Sequence, residues 1–291
     1  MQRLTVKHVT TYRYRQPVGF GPHRLMFRPR DSHDLRLVSA ALVINPKAQV
    51  RWLHDVFGNS IAIAEFAGQA ETLSFESDIE VEVYGAESPV FPLEYYARTY
   101  PFGYSNEEIP DLGRTTERHY DDPDRHVDLW ARRFVGHSGG TPTADMLAAM
   151  TQAIHHGFTY QSRYAIGTQE PTETLRLCTG TCRDLALLMM EAARSLGLAA
   201  RFVSGYVYDP ALDGAEIGMV GGGATHAWVQ IYLPGAGWVE FDPTNGKVGG
   251  SHLIRVAVTR DPSQAIPLSG SYVGPTDAFL DMDVSVEVRA A

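Results

Sequence analysis

The sequence predicts an α+β fold, with an N-terminal antiparallel β-sandwich followed by a second domain in which helices precede strands. Three observations predict this fold. Apolar and polar residues alternate over roughly the first 85 residues, a helical period begins at Thr143, and alternation returns from Ala200. We therefore expect a β-sandwich domain over residues 1–85, a connecting segment over 86–140 and a second domain, with a C-terminal strand, over 141–291.

The N-terminal strands are predicted from their two-residue period and from the turn residues between them. The first strand is marked by residues that share one face: Leu4, Val6, His8, Thr10, Tyr12 and Tyr14. Further strands are predicted over Leu35–Ile44, Val50–Val56, Ser60–Phe66 and Thr72–Tyr84. Asn45-Pro46, Gly58-Asn59 and Gly68 lie between these strands, and such residues are typical of turns. Several short strands at this spacing favour a β-sandwich.

The second domain begins with a helix, which we predict to start at Thr143 and to end at Gly157. In the irregular, proline-rich segment before it, only Val127–Val135 has helical character. The later strands are predicted over Ala200–Tyr208, His226–Tyr232, Trp238–Asp242 and the alternating stretch from Met282 to Val288. A glycine-rich loop, Asp209–Ala224, directly precedes His226, and we expect it to act as a lid.

The composition excludes several classes of protein. The chain has 291 residues and a net charge of -9, without a basic run, so we expect no nucleic-acid partner. No stretch approaches the roughly 18 apolar residues of a membrane span, and the N-terminus lacks the apolar segment of a signal peptide. Two cysteines do not make a disulfide framework. We expect a cytoplasmic protein without a membrane partner; its oligomeric state does not follow from these features.

Both cysteines lie in one short stretch, LCTGTCRDLALLMM, at the start of a predicted apolar helix. The spacing of Thr181 and Asp184 is that of a capping box, which puts Cys182 in the first turn, and Gly197 is a natural stop. The positive end of the helix dipole favours a thiolate there, and the first N–H groups can stabilise an oxyanion. Alternatively, Cys182 is a small buried hydrophobe, or it binds a metal with Cys178; a metal pair would need two further ligands, which the neighbouring sequence does not supply.

A histidine and an aspartate downstream supply the partners that a nucleophilic cysteine needs. His226 begins one predicted strand and Asp242 ends the next, 16 residues later, with the midpoint at Pro234. A hairpin loop of odd length centred there would make them directly opposed partners on one face, about 4.5–5.5 Å apart at Cβ, whereas an even loop would separate them. Cys182 would then be the nucleophile, His226 its base and Asp242 the group that orients the imidazole. A lone histidine on a strand is more often structural, so the prediction depends on all three residues together.

The stretches G-T-C-R-D-L-A and L-G-L-A-A-R-F-V-S-G-Y, followed by T-H-A-W-V and G-W-V-E-F-D-P-T, resemble the transglutaminase-like superfamily. They are most similar to bacterial members that are classed as cysteine proteases. H-x-T-x-Y-x-Y from His8 to Tyr14 and D-x-x-G-N from Asp55 to Asn59 resemble the N-terminal β-domain of that group. The resemblance implies a papain-like/transglutaminase-like catalytic core with Cys182, His226 and Asp242 as the triad. We expect no cofactor and no bound metal.

Other cleft residues are less well defined by the resemblance. Thr181, which stands where animal transglutaminases have Gln, is a candidate for the cleft or the oxyanion hole, as are Tyr206 and Trp228. The glutamine of the papain-like oxyanion hole is not assigned between Gln161 and Gln169. No counterpart of the calcium sites of the animal enzymes is evident.

The resemblance implies that the chain acts on a peptide or protein substrate. The expected function is a thiol hydrolase that cleaves peptide or isopeptide amide bonds through a thioester acyl-enzyme. Transfer of the acyl group to an amine, as in transglutaminases, uses the same intermediate and is the first alternative. A non-catalytic peptide-binding module is the second.

Overall fold

The computed structural model of the chain describes residues 1–84, 92–136, 140–163, 167–213, 219–221 and 223–291, without the side chains of 212 and 213. The N-terminal strands are β1 Gln2–Phe20, β2 His23–Leu25, β3 Leu35–Asn45, β4 Ala48–His54, β5 Ser60–Phe66 and β6 Gln69–Val83. The middle of the chain contains β7 Thr99–Tyr100, α1 Glu108–Leu112, α2 His126–Arg132, β8 Thr141–Pro142, α3 Thr143–Gly157, β9 Thr159–Tyr160, α4 Pro171–Leu177, β10 Thr179–Gly180 and α5 Cys182–Ser195. The last strands are β11 Ala200–Val207, β12 His226–Leu233, β13 Gly237–Asp242, β14 Lys247–Val248, β15 Leu253–Thr259, β16 Leu268–Ser269, β17 Tyr272–Val273 and β18 Phe279–Ala290.

The N-terminal region is the antiparallel sandwich that the alternation predicts. One sheet has the order β17-β1-β6-β3, with β18 also paired to β1, and the facing sheet has the order β16-β2-β5-β4. Large side chains from both sheets, such as Phe20, Leu25 and Phe75, form a buried cluster between them. The predicted strands match β3 to β6 within a few residues, whereas β1 continues six residues beyond Tyr14 to Phe20.

The C-terminal strand is present, but it lies in the N-terminal sandwich. β18 pairs with β1 from Leu4↔Ala290 to Tyr14↔Phe279, and β16 and β17 also pair with N-terminal strands. The prediction that residues 141–291 form one domain with its own C-terminal strand therefore needs correction at its end. Alternation in the sequence showed that this segment is a strand, but it carries no information on its partner.

The second sheet is antiparallel, with the order β14-β13-β12-β11-β15, and α5 packs against β11 and β12. α5 is buried on nearly every face, as its continuous apolar sequence predicts, and Gly197 follows its end with a positive φ of 82°. α3 has the predicted bounds, and α2 covers most of the short helix predicted at Val127–Val135. This arrangement puts the start of α5 near the start of β12, where the candidate site lies.

Two motifs of the N-terminal region bind the second sheet directly. Nδ1 of His8 on β1 lies 2.9 Å from the Tyr206 hydroxyl on β11. The Asn59 side chain donates to the Val258 carbonyl and accepts from the Val258 N–H, both at 2.8 Å, while Asp55 holds Asn59 in place. One continuous buried cluster also contains residues of both regions. The sandwich and the second sheet are therefore packed together as one body.

The described part of the connecting segment packs on the second domain. The Tyr100 hydroxyl donates to the Leu196 carbonyl at 2.9 Å, and the Tyr104 hydroxyl donates to the Tyr232 carbonyl at 3.0 Å. Within the described ranges, no helix is long and apolar enough to cross a membrane.

Candidate active site

The start of α5 has the predicted capping box. The Thr181 N–H and hydroxyl both donate to Asp184 Oδ2 at 2.9 Å, while the Thr181 hydroxyl oxygen accepts from the Asp184 N–H at 3.4 Å. Cys182 is therefore the first helical residue, at the positive end of the helix dipole, and its side chain is buried with 6% of its surface exposed. The Asp184 N–H is engaged in this cap, whereas the Cys182 N–H has no partner inside the helix and can donate to an oxyanion.

Asp184 organises the chain on both sides of the cysteine. Its carboxylate is fully buried and also accepts from Arg163 Nη2 at 2.8 Å and from the Gln169 N–H at 2.6 Å. A Cβ on Gly180 would lie 2.8 Å from the Asp184 Cβ, so the approach requires glycine. The cap therefore fixes the position of the Cys182 backbone.

The β12–β13 hairpin has a loop with an odd number of residues, as predicted, but the loop centre lies one residue from the predicted position. Leu233 pairs with Gly237, so the loop has three residues and is centred on Gly235. Continuing this register puts Asp242 opposite Trp228. His226 is therefore the diagonal neighbour of Asp242 on the same face of the sheet. The predicted direct pairing of His226 with Asp242 is wrong. Diagonal neighbours are within reach of long side chains. His226 Nε2 and Asp242 Oδ2 are 2.8 Å apart.

The His226–Asp242 pair is enclosed, with 1% and 0% of the two residues exposed. Burial disfavours the imidazolium, but the charge of Asp242 and its hydrogen bond, and then the Cys182 thiol, outweigh burial and raise the pKa of His226 to about 10. Burial also opposes ionisation of Asp242, but His226 and Asn245 together hold the pKa of that carboxyl below its ordinary range. The geometry thus favours an imidazolium paired with a carboxylate.

The two imidazole nitrogens of His226 have different surroundings. Nε2 faces Asp242, while Nδ1 is buried and, among the described residues, has no hydrogen-bonding partner. Nδ1 is therefore the nitrogen that is available to the Cys182 thiol. The thiol contributes to the raised pKa of His226, although the two groups do not form a hydrogen bond of ordinary geometry. A base oriented at one nitrogen and unoccupied at the other can take the proton of a nucleophile.

Asn245 is a residue of the site that the sequence did not reveal. Its Nδ2 lies 2.8 Å from Asp242 Oδ2 and 3.5 Å from His226 Nε2. The same side chain accepts from the Val220 N–H at 2.8 Å and donates to the Val220 carbonyl at 3.1 Å. The sequence feature that could have indicated Asn245 is its position three residues after Asp242, in a D-P-T-N-G turn.

The other predicted cleft residues have different positions from those expected. Tyr206 and Trp228 are 1% and 0% exposed, so neither lines an open cleft, and both belong to the core. Trp228 lies beside His226, with ring centroids 5.9 Å apart at an angle of 26°. The Thr181 hydroxyl is engaged in the helix cap, so any role for Thr181 in an oxyanion hole stays a prediction.

Neither glutamine is an evident oxyanion donor. The Gln169 side chain donates to Thr174 Oγ1 and to the Thr179 carbonyl, both at 3.0 Å, and so has a structural role. Gln161 is exposed on the strand edge beside Gly180. Tyr160, which pairs with Gly180 and is 37% exposed, interacts electrostatically with Cys182. Burial and the neighbouring Cys182 both raise the pKa of its phenol.

The predicted lid is described only in part. Met219, Val220 and Gly221 lie against the site, whereas residues 214–218 and 222 of the predicted lid lie outside the described residues. Within the described part of the chain, no group of three or more His, Cys, Asp or Glu could hold a metal ion.

Comparison with known proteins finds family matches over both regions of the chain. Residues 4–82 match the bacterial transglutaminase-like N-terminal region, and residues 130–243 match the transglutaminase-like superfamily. An uncharacterized protein of Mycobacterium leprae is 39% identical over 304 residues, which cover 99% of each chain. One from Mycobacterium tuberculosis (strain ATCC 25618 / H37Rv) is 29% identical over 98% of this chain and 92% of the relative.

A crystal structure supports the fold. A candidate cysteine protease of Cytophaga hutchinsonii has a TM-score of 0.71 and 18% sequence identity, with 100% of this chain and 91% of that chain covered. The N-terminal match covers most of the sandwich and the second match contains all three predicted triad residues, while one relative aligns along nearly the whole chain. The protein therefore belongs to the transglutaminase-like superfamily.

Proposed function

We propose that this protein is a thiol hydrolase that cleaves peptide or isopeptide amide bonds with Cys182, His226 and Asp242 as its catalytic triad. The observation that carries the proposal is the enclosed hydrogen-bonded pair of His226 and Asp242. The pair uses Nε2 of the imidazole, so Nδ1 is available to Cys182 in the first turn of α5. Membership of the superfamily supports a papain-like thiol enzyme.

The proposed reaction follows from the two nitrogens of His226. Cys182 Sγ attacks the amide carbonyl, and the sulfur's proton is held at Nδ1 while Asp242 stabilises the imidazolium through Nε2. The Cys182 backbone N–H stabilises the oxyanion. Collapse of the tetrahedral intermediate breaks the C–N bond, and the proton at Nδ1 passes to the leaving amine. Water then attacks the thioester and returns a proton through His226, which releases the acid and restores the thiol.

The experiment compares the two cysteines of the chain, because the second one is a matched control. Wild-type protein, Cys182→Ala and Cys178→Ala are incubated with a peptide library that includes isopeptides, with and without a small primary amine, and products are identified by mass spectrometry. Cys178 is exposed and outside the predicted triad, so Cys178→Ala should cleave like the wild type, and Cys182→Ala should not cleave.

The outcomes separate the three functions. Cleavage that survives in Cys182→Ala contradicts the proposal. Products that carry the added amine, formed in preference to the free acid, identify an acyltransferase. Binding of a peptide by both the wild type and Cys182→Ala, without turnover, identifies a binding module. The substrate and the cytoplasmic location stay predictions.

A further inference from the structure

Asn245 lies in a turn that side chains of α3 hold in place. The turn joins β13 to β14, and α3 supports it: Gln152 Nε2 donates to the Gly246 carbonyl at 2.6 Å, and His155 Nδ1 lies 2.8 Å from the Thr244 carbonyl. His155, in the last turn of α3, thus helps to hold this turn. The Thr244 N–H also donates to Asp242 Oδ1 at 3.0 Å. The position of the Asn245 backbone relative to Asp242 is therefore set by several contacts.

The Asn245 amide uses both of its ends. Its nitrogen donates to the Asp242 carboxylate and to the Val220 carbonyl, and its oxygen accepts the Val220 N–H. The contacts to Val220 engage both polar groups of one backbone unit, as a neighbouring β-strand would. A single side chain thus connects the carboxylate of the predicted triad with the segment before β12.

That segment lies against the histidine at the nitrogen that faces away from Asp242. Gly221 has a φ of +99°, and a Cβ there would lie 2.6 Å from His226 Nδ1 and 3.3 Å from its Cγ. Only glycine fits this conformation and this approach. Gly221 therefore covers Nδ1, the atom to which the proton of Cys182 would pass.

We propose that Asn245 is a positioning residue that ties the Asp242 carboxylate to Met219–Gly221 and thereby holds the Gly221 backbone over His226 Nδ1. This inference rests on the proposed function for its catalytic meaning, because Nδ1 matters only if it receives the proton of Cys182. With the segment seated, His226 is screened from water and its ring is confined between Trp228 and Gly221. The same amide therefore contacts the Asp242 carboxylate and keeps the Met219–Gly221 segment over the imidazole.

The experiment measures two properties that need no substrate: hydrogen exchange of the Val220 amide and the NMR titration of the His226 imidazole. In Asn245→Ala the Val220 amide loses its acceptor, and we expect its exchange to accelerate roughly 5- to 30-fold, the equivalent of one or two neutral hydrogen bonds. Water that reaches the imidazole screens the combined influence of Asp242 and Cys182, which in the wild type outweighs burial, so the pKa of His226 should fall from about 10 by about one unit or more toward the ordinary value of about 6.5.

A glycine pair provides the matched control. Gly221→Ala places its methyl group on His226, and it should change the titration and the Val220 exchange in the same direction as Asn245→Ala. Gly223 also has a positive φ, of +84°, but a Cβ there would meet only the Val286 carbonyl at 3.9 Å, so Gly223→Ala imposes similar backbone strain without contact with the imidazole. Gly223→Ala should titrate like the wild type.

Two results would overturn the inference: wild-type exchange and titration in Asn245→Ala, or equal effects of the two glycine substitutions. Thermal unfolding of every variant checks that it is folded, and the glycine pair provides a second test if Asn245→Ala unfolds. Because neither readout involves amide cleavage, failure of the proposed function and failure of this inference give different results.

Discussion

Replacing Asp242 with Asn tests whether the enclosed imidazolium contributes to stability. The pKa of His226 is about 10 in the folded protein and about 6.5 in an unfolded chain, so the folded state binds more protons between these values. The pair therefore stabilises the fold fully below about pH 6.5, and this stabilisation is lost as the pH rises toward 10. The slope is about 1.36 kcal/mol per pH unit, which gives about 2 kcal/mol between pH 7 and pH 8.5.

The assay is urea unfolding at half-unit steps from pH 7 to pH 8.5, in a Cys182→Ala background so that the thiol does not titrate. Without the carboxylate, burial lowers the pKa of His226 below its ordinary value, and the imidazole is neutral in both folded and unfolded states over this range. The Cys182 thiol contributes to the raised pKa of His226, so in Cys182→Ala that pKa is still raised by Asp242 but lies below about 10. The free energy of unfolding of Cys182→Ala should therefore fall by up to about 2 kcal/mol relative to that of Cys182→Ala with Asp242→Asn. A constant difference between the two proteins across the range would refute the reasoning.

Three further predictions concern the supports of the site. Gly180→Ala puts a methyl group 2.8 Å from the Asp184 Cβ; it should destabilise the fold by about 1–3 kcal/mol in urea and slow iodoacetamide labelling of Cys182, and unchanged labelling would contradict this. His8 is buried and its pKa is lowered to about 4, so the unfolded state binds more protons below pH 6.5; stability should fall by about 3 kcal/mol from pH 6.5 to pH 4, and His8→Gln should remove this loss in acid unfolding. Arg255→Met leaves Glu240 buried without its cation and should cost about 3–5 kcal/mol in urea; a loss below 1 kcal/mol would show that the ion pair is dispensable.

The sequence predicted α3 and α5, and the shared face of His226 and Asp242, because the determining interactions there are local; it did not predict α1 or α4. The capping box places Cys182 from residues three apart, and the limits of α3 follow from its period and from Gly157. The parity of the β12–β13 hairpin correctly placed His226 and Asp242 on one face, because side chains alternate strictly along a strand. The one-residue shift of the loop centre was not predictable, since three-residue loops centred on Pro234 or on Gly235 are both compatible with the pattern.

The features that the sequence did not reveal depend on contacts between distant segments. Alternation identified β18 as a strand but could not assign it to β1, because a two-residue period defines faces and not neighbours. Tyr206 and Trp228 could not be distinguished as core or cleft residues, since an aromatic side chain beside a catalytic strand is compatible with either. Asn245 was missed because its amide acts on a segment 25 residues earlier in the chain.

The pairing of β18 with β1 has a consequence for how the molecule acquires its structure. The strands of the second sheet, with α5, lie between Cys182 and Thr259 in the chain, so the sheet that carries the histidine forms from neighbouring segments. The N-terminal sheet, by contrast, gains its outer strand only after residues 279–290 have left the ribosome, and loop closure over such a separation is slow. We expect the second sheet to form first during synthesis, with the edge of β1 exposed until β18 arrives. That interval is when the chain is most exposed to aggregation.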